Sequence, residues 1–477
     1  MTAWPRWFGV AGAAALLSVT VAGSVSAQVH ELASEATPSA PAGDSTACAL
    51  ESAGPAAPPP AAFTPVWPCR IDSVEISGLW RTADFIVLGE LPWTEGQVVT
   101  LAQWELASAR LWNTGLFSKV QATLVRRAGK TVALVALEER WTINLLFSFA
   151  VVAQRSQASP ALRGASGPAA NGSSTWWSVG LSDLNLGGRF IEAAATYEQF
   201  NAFTGGLAFI RAHRFLGRRM DATLLWEYLA RPRVGFADRR QRLRGELNQL
   251  AMDDHLRFGG RLDLQRDGIF DAGDTVPNLP ASSATALLDV GVRYGRVDIV
   301  RVRQQGASLE VRAAVGRSEV AGQHLSHGQG WLQALAYVLV GVRGNVAGRL
   351  QAGMQSAAPP QLQFFIGGLN EVRGVRDSYL RADRFVLANL EVRTVLYDAM
   401  WLAVVPAVFI DAAVANDAQR GATLLASTGG GVRLLVPRFV RTGLRVDVAV
   451  PVAGLPCTRP VVAGLCPAFN VGIFQYF

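Results

Sequence analysis

Few residues of this chain have both the type and the spacing to do chemistry. His324 and His327 are spaced like metal ligands, but they stand beside Gly322 and Gly328 with no third ligand, so a solvated turn is expected. Asp267, Asp271 and Asp274 offer carboxylates for a surface Ca²⁺; their spacing does not fit an EF-hand loop, and an ordinary acidic loop is expected. Cys48, Cys69, Cys457 and Cys466 lack C-x-x-C spacing and neighbouring histidines, which argues against a metal centre. Two local disulfides, Cys457 with Cys466 and Cys48 with Cys69, are expected, although the sequence leaves all three pairings open. There is no Gly-x-Ser-x-Gly elbow, no phosphate-binding glycine loop and no His-Glu-x-x-His. Neither catalysis nor a cofactor or metal is expected.

What must position the remaining polar residues follows from composition. Arg6, the apolar run Val10 to Val25 and the small residues ending at Ala27 predict a cleaved export signal over residues 1–27. Export permits disulfides. Half the residues are hydrophobic, yet no later stretch reaches the ~18 uncharged apolar residues that a membrane helix needs; the longest, Trp401 to Ile410, stops at Asp411. The net charge of +7 is carried by arginine, since only Lys119 and Lys130 among 44 basic residues are lysine. That charge is spread rather than clustered, which points to solvated loops and compositional bias, with a cationic lumen facing acidic chains or lipopolysaccharide as the alternative. No nucleic-acid partner is expected.

Residues 28–69 are rich in Pro and Ala and read as a linker, and residues 70–140 as a small α+β unit. In that unit Arg70 to Ser77 reads as a strand, Thr82 to Leu91 as a short helix, and Thr100 with Gln103 as the capping box of a second helix ended by Gly115. Strands over Phe117 to Arg126 and Thr131 to Glu138 complete a β-α-α-β-β order, joined at Ala128-Gly129. From Trp141 to Phe477 only strand-like runs occur, sixteen of them, the first near Trp141 and the last near Phe469, with the ninth and tenth starting near Ser308 and Trp331. Several alternate cleanly. Leu444, Val446, Val448 and Val450 share one face and Arg445 and Asp447 the other; Val386, Ala388, Leu390 and Val392 oppose Asn389, Glu391 and Arg393. This pattern predicts an all-β transmembrane barrel of sixteen antiparallel strands over 141–477, lipid outside and polar lumen inside.

Specific segments carry a family resemblance. Ile71-Asp-Ser-Val-Glu-Ile-Ser-Gly-Leu79 and Leu111-Trp-Asn-Thr-Gly-Leu-Phe-Ser-Lys-Val120 closely resemble a POTRA domain, and Gln363-Phe-Phe-Ile-Gly-Gly-Leu-Asn-Glu-Val-Arg-Gly-Val-Arg376 resembles the sixth-loop motif of the BamA/TamA and two-partner-secretion superfamily, the "bacterial surface antigen" family. The resemblance implies that the loop folds into the lumen, with Arg373 and Gly374 at its tip and Val375 where an aromatic is usual. It further implies wall partners: Glu391, in Asn-Leu-Glu-Val-Arg393, and Asp411, in Val-Phe-Ile-Asp-Ala-Ala413, where Ala413 replaces a glycine. Strand parity independently puts both carboxylates on the lumen face, where a guanidinium can be held by charge-assisted bonds. The last strand, with Asn470, Gly472 and the terminal Phe477, is similar to the signals that barrels present to their assembly machinery.

The function implied is assembly, insertion or translocation of polypeptides at the bacterial outer membrane, with the POTRA domain in the periplasm binding extended clients by strand addition. Partners would be outer-membrane lipid, lipopolysaccharide, such clients and periplasmic or outer-membrane assembly factors. The alternatives are a two-partner-type exporter and a passive porin.

Overall fold

The computed structural model describes residues 65–475 apart from 154–172, 201–202, 234–235, 273–278, 357, 369, 376–377, 418–420, 438–441 and 455–466. The export signal, most of the linker, Cys48, Cys457, Cys466 and Phe477 therefore lie outside the described residues. Cys69 is buried.

The N-terminal unit contains β1 (Cys69–Arg70), β2 (Ser73–Ser77), α1 (Asp84–Glu90), β3 (Val98–Val99), α2 (Leu101–Asn113), β4 (Phe117–Arg127) and β5 (Lys130–Glu139). The strand, helix, helix, strand, strand order is present, with two additions the sequence did not signal: β1 and β3 are too short to show a period and pair only with each other. The main sheet runs β2-β5-β4, with β2 parallel to β5 and β4 antiparallel to it. At the head of α2, Thr100 accepts from the Gln103 backbone N–H while the Gln103 side chain accepts from the Thr100 N–H. Two otherwise orphan donors are satisfied there, so Thr100→Ala lowers the stability of this unit by about 1 kcal/mol, read by chemical denaturation.

Sixteen long strands follow: β6 (Ile143–Ala153), β7 (Ser173–Asp183), β8 (Ile191–Phe200), β9 (Phe203–Ala212), β10 (Met220–Arg233), β11 (Phe236–Ala251), β12 (Leu256–Ala272), β13 (Ser282–Val300), β14 (Arg303–Val320), β15 (Gln323–Val340), β16 (Gly344–Gln355), β18 (Leu380–Thr394), β20 (Ala403–Asp417), β21 (Gly421–Leu435), β22 (Thr442–Ala453) and β23 (Ala468–Gln475). The short β17 (Phe364–Ile366) and β19 (Tyr397–Asp398) pair beside them. Each long strand is antiparallel to the next, and β23 lies beside β6, so the sheet is a closed barrel. Closure leaves no exposed edge. Among the described residues no helix is long and apolar enough to cross a membrane.

Alternation decides what faces out. On β13, Leu288, Val290 and Val292 are exposed while Asp289 is buried between them; on β18, Val386, Leu390 and Val392 are exposed and Glu391 is buried. Two sequence expectations need correction. His324 and His327 are not in a loop: the turn is confined to Ala321 and Gly322, both with positive φ, and β15 begins at Gln323. The early part of that strand lacks outward apolar residues, since His324, Ser326, Gly328 and Gly330 hold those positions, so its period is invisible in hydropathy. Asp267 is likewise no surface ligand; it is 1% exposed on the inner face of β12 and accepts from Arg240 Nε at 2.9 Å. Asp271 ends the same strand, and Asp274 lies outside the described residues.

The N-terminal unit is fastened to one end of the barrel by its own core. Leu184 and Phe190, from the β7–β8 turn, pack with Ile86, Val87, Leu111 and Leu137. Polar ties surround this contact: Arg81 to Asp183 at 2.5 Å and Thr142 at 2.7 Å, Arg110 to Asp254 at 3.0 Å, and Asn113 to Asp298 at 2.9 Å. Arg214 also binds Glu90, which is buried at the end of α1. Burial pushes the Glu90 carboxyl above the ordinary carboxylate value, against the opposing pull of Arg214 and Arg219. A raised value means that the folded state prefers the protonated form, so this contribution is full below the ordinary value and is lost as pH rises through the raised one. The melting temperature of the docked unit should therefore rise as pH is lowered from neutrality, and Glu90→Gln should flatten that dependence.

Candidate functional site

The segment between β16 and β18 turns into the lumen and is held at both ends of its course. Near its start, Gln361 Nε2 donates to Ser283 Oγ at 2.6 Å and the Gln361 carbonyl accepts from Arg240 at 2.9 Å, so this part rests on β11 and β13. Near its end, Arg373 reaches β18 and β20, which stand close to the opposite wall in the strand order. The segment therefore spans the lumen.

Arg373 is 3% exposed, and all three nitrogens of its guanidinium donate to carboxylates. Nε and Nη2 donate to the two oxygens of Asp411 at 2.6 and 2.7 Å, Nη1 donates to Glu391 at 2.6 Å, and the backbone N–H donates to Asp411 at 3.1 Å. A planar fork matched to a carboxylate is what arginine provides and lysine does not. The guanidinium carbon also lies 3.4 Å from the centre of the Phe409 ring, a cation–π contact from the residue two before Asp411 on the same face.

Neighbouring charges extend the cluster. Glu391 also accepts from Arg393 at 2.7 Å and Arg433 at 2.9 Å, while Asp447 accepts from Arg433 at 2.7 Å and Arg445 at 2.5 Å. Asn389 donates to Asp411 and to the Glu371 carbonyl, both at 2.7 Å, so the wall grips the backbone of the segment as well as its side chain. Four guanidiniums thus surround three carboxylates, with Glu391, Asp411 and Asp447 all buried. Removing one partner strands the rest, which makes such a cluster a device for fixing position.

Two glycines make room. Gly374 has φ of +80°, which an L side chain rarely adopts, and a Cβ there would stand 2.9 Å from that of Ala449. Gly431 on β21 lies against Asp447, whose Oδ1 would be 2.0 Å from an added Cβ. Val375 is fully buried beside Val372, Leu380, Leu387, Ala413 and Leu425. Branched Val375 and the methyl of Ala413 sit in one apolar cluster at the position where the resemblance implied an aromatic and a glycine.

The structure brings Arg373, Gly374, Val375, Glu391 and Asp411 into this one site. Asn470 and Gly472, on β23, border it, opposite Asp447 and Arg445 in register. Asp447 and Asn389 were read from sequence only as inward residues, and Arg433 and Phe409 were not singled out. Their signal was strand parity, which places all four inward, but parity does not say which inward residues meet across strands.

No family model matches the chain, and no curated protein matches it. Its structure is similar to solved ones. BamA from Haemophilus ducreyi lacking POTRA domains 1–3 aligns with 14% identity, TM-score 0.51, over 85% of this chain and 84% of that one. CdiB from Acinetobacter baumannii aligns with 12% identity, TM-score 0.53, over 85% and 74%, and CdiB from Escherichia coli with 13%, 0.54, 85% and 76%. In its sixteen-strand closed meander the chain shares the barrel fold of BamA and CdiB.

Proposed function

We propose that this chain is an outer-membrane protein that handles other polypeptides, inserting them into that membrane or passing them across it. The observation that carries this reading is the fixed inward segment: a lumen crossed by chain and clamped through Arg373 to Glu391 and Asp411 is poorly suited to free diffusion of solutes. Residues 70–140 act as a POTRA domain on the periplasmic side. Among the described residues its sheet ends at β2, where the Val74 N–H donates to the Glu95 side chain, and at the eleven-residue β4, and an extended client can add a strand to the β4 edge. The chemistry needed is binding and guidance, with no catalytic step and no cofactor.

In planar bilayers the full chain should give a small, unstable conductance, because the segment occupies the lumen. A large, steady, ohmic pore would overturn the polypeptide-handling reading in favour of a passive porin.

A further inference from the structure

A second dense cluster of charged side chains lies on the other side of the lumen from Arg373. Arg240, Arg242 and Arg244 are successive inward residues of β11, and Arg261 and Asp263 stand beside them on β12. With His327 of β15 they line a cavity of about 330 Å³, roofed by Gln361 to Phe365 of the inward segment. Alternate residues on a strand are about 6.6 Å apart, so three guanidiniums in line repel one another unless something neutral or anionic stands between them.

Carboxylates of the barrel wall neutralise these guanidiniums, and what they leave open is hydrogen bonding. Asp263 is shared, lying 2.7 Å from Arg244, 3.3 Å from Arg261 and 4.0 Å from Arg242. Arg240 has Asp267 at 2.9 Å and Asp238 at 3.8 Å, Arg261 has Asp289 at 2.8 Å, and Asp289 is itself held by Arg312 at 2.7 Å. Arg242 meets Glu227 only at 3.8 Å. Each guanidinium carries five N–H groups. Among the described residues Arg244 donates one, to Asp263, and Arg242 one, to Gln265 at 3.3 Å. Among the described residues Arg261 Nε, 3.3 Å from Asp263 but outside hydrogen-bond geometry, and both ring nitrogens of His327 are buried without a well-formed hydrogen bond, although one His327 nitrogen always carries a proton in its neutral form.

We propose that this cavity is a binding site for a phosphate-type oxyanion. A tetrahedral anion accepts from several directions at once, as this set of donors requires, and the volume corresponds to roughly ten water molecules of liquid, enough for the ion with part of its hydration. The site lies inside a closed barrel and beneath the inward segment, so a soluble anion fits it and a lipid headgroup trailing acyl chains does not. The inference is independent of what the barrel transports. It gives the inward segment a second anchor: the Gln361 carbonyl bonds to Arg240, one of the guanidiniums that the anion would hold.

The test is thermal unfolding of the full chain in detergent micelles, titrated with inorganic phosphate and, separately, with sodium chloride at matched ionic strength. Phosphate should stabilise saturably and chloride should not. Arg242→Gln and Arg244→Gln should each weaken the apparent phosphate affinity by about tenfold or more, the usual size of one lost charge-assisted hydrogen bond. Arg317→Gln, on the outward face of β14, should leave it unchanged. Coincident phosphate and chloride curves for the unmodified chain would overturn the proposal without recourse to any variant, and so would folded Arg242→Gln and Arg244→Gln proteins that bind phosphate as tightly as the original.

Discussion

Arg373→Ala is expected to destabilise the barrel by about 3–5 kcal/mol, because it leaves Glu391 and Asp411 buried without the cation that bridges them. Arg393 and Arg433 still compensate Glu391, but among the described residues Asp411 keeps only Asn389 as a side-chain donor. The larger share of the loss therefore falls on Asp411. Arg373→Lys should recover only a fraction, since an ammonium cannot make the two parallel bonds to Asp411 or lie flat over Phe409. Both variants can be ranked by the temperature at which the barrel loses its compact electrophoretic form. The double variant Arg373→Ala with Asp411→Ala should be less impaired than the sum of the single changes, since removing both partners leaves fewer buried charges.

The second large effect is steric. Gly431→Val places a branched side chain where Asp447 Oδ1 and the Val446 carbonyl already stand, 2.0 and 2.3 Å from the new Cβ. Backbone on one side and a doubly bonded carboxylate on the other leave no inexpensive relaxation, so a cost of about 3 kcal/mol, the upper end of the overpacking range, is expected. Displacing Asp447 also frees Arg433 and Arg445. The consequence should be a loosened inward segment, seen as faster protease cleavage between Pro359 and Ser378 in a barrel that is still folded. Gly431→Ala should show the same direction at smaller size.

How much of this was legible before the structure depends on which interaction fixed each residue. Strand alternation is imposed by lipid on one side and water on the other, a local rule, and it located the long strands from β6 to β23. It failed at the start of β15, where Gly328 and Gly330 supply no apolar signal on the outer face, and it gave no sign of β1 or β3. Thr100 and Gln103 were readable because a capping box is contained in four residues. Arg373, Glu391 and Asp411 are far apart in sequence; parity placed the two carboxylates inward, but only the family resemblance joined them. Asp447 was read only as an inward residue and Arg433 not at all, and neither was joined to the cluster, because pairing across β18, β20, β21 and β22 depends on register, which no short window encodes. Asp267 was misread for the converse reason: in sequence a carboxylate near a glycine and another aspartate resembles a loop, whereas Arg240 on the neighbouring strand holds it to the wall.

Whether the clamped segment serves polypeptide traffic is most directly decided in the living host, by quantifying the proteins of its outer membrane and medium after the chain is removed. Polypeptide handling predicts that a defined set of membrane or exported proteins falls, is restored by the unmodified chain, and is not restored by an Arg373→Ala chain that still reaches the membrane. An unchanged protein complement, accompanied by reduced uptake of small solutes, would contradict it.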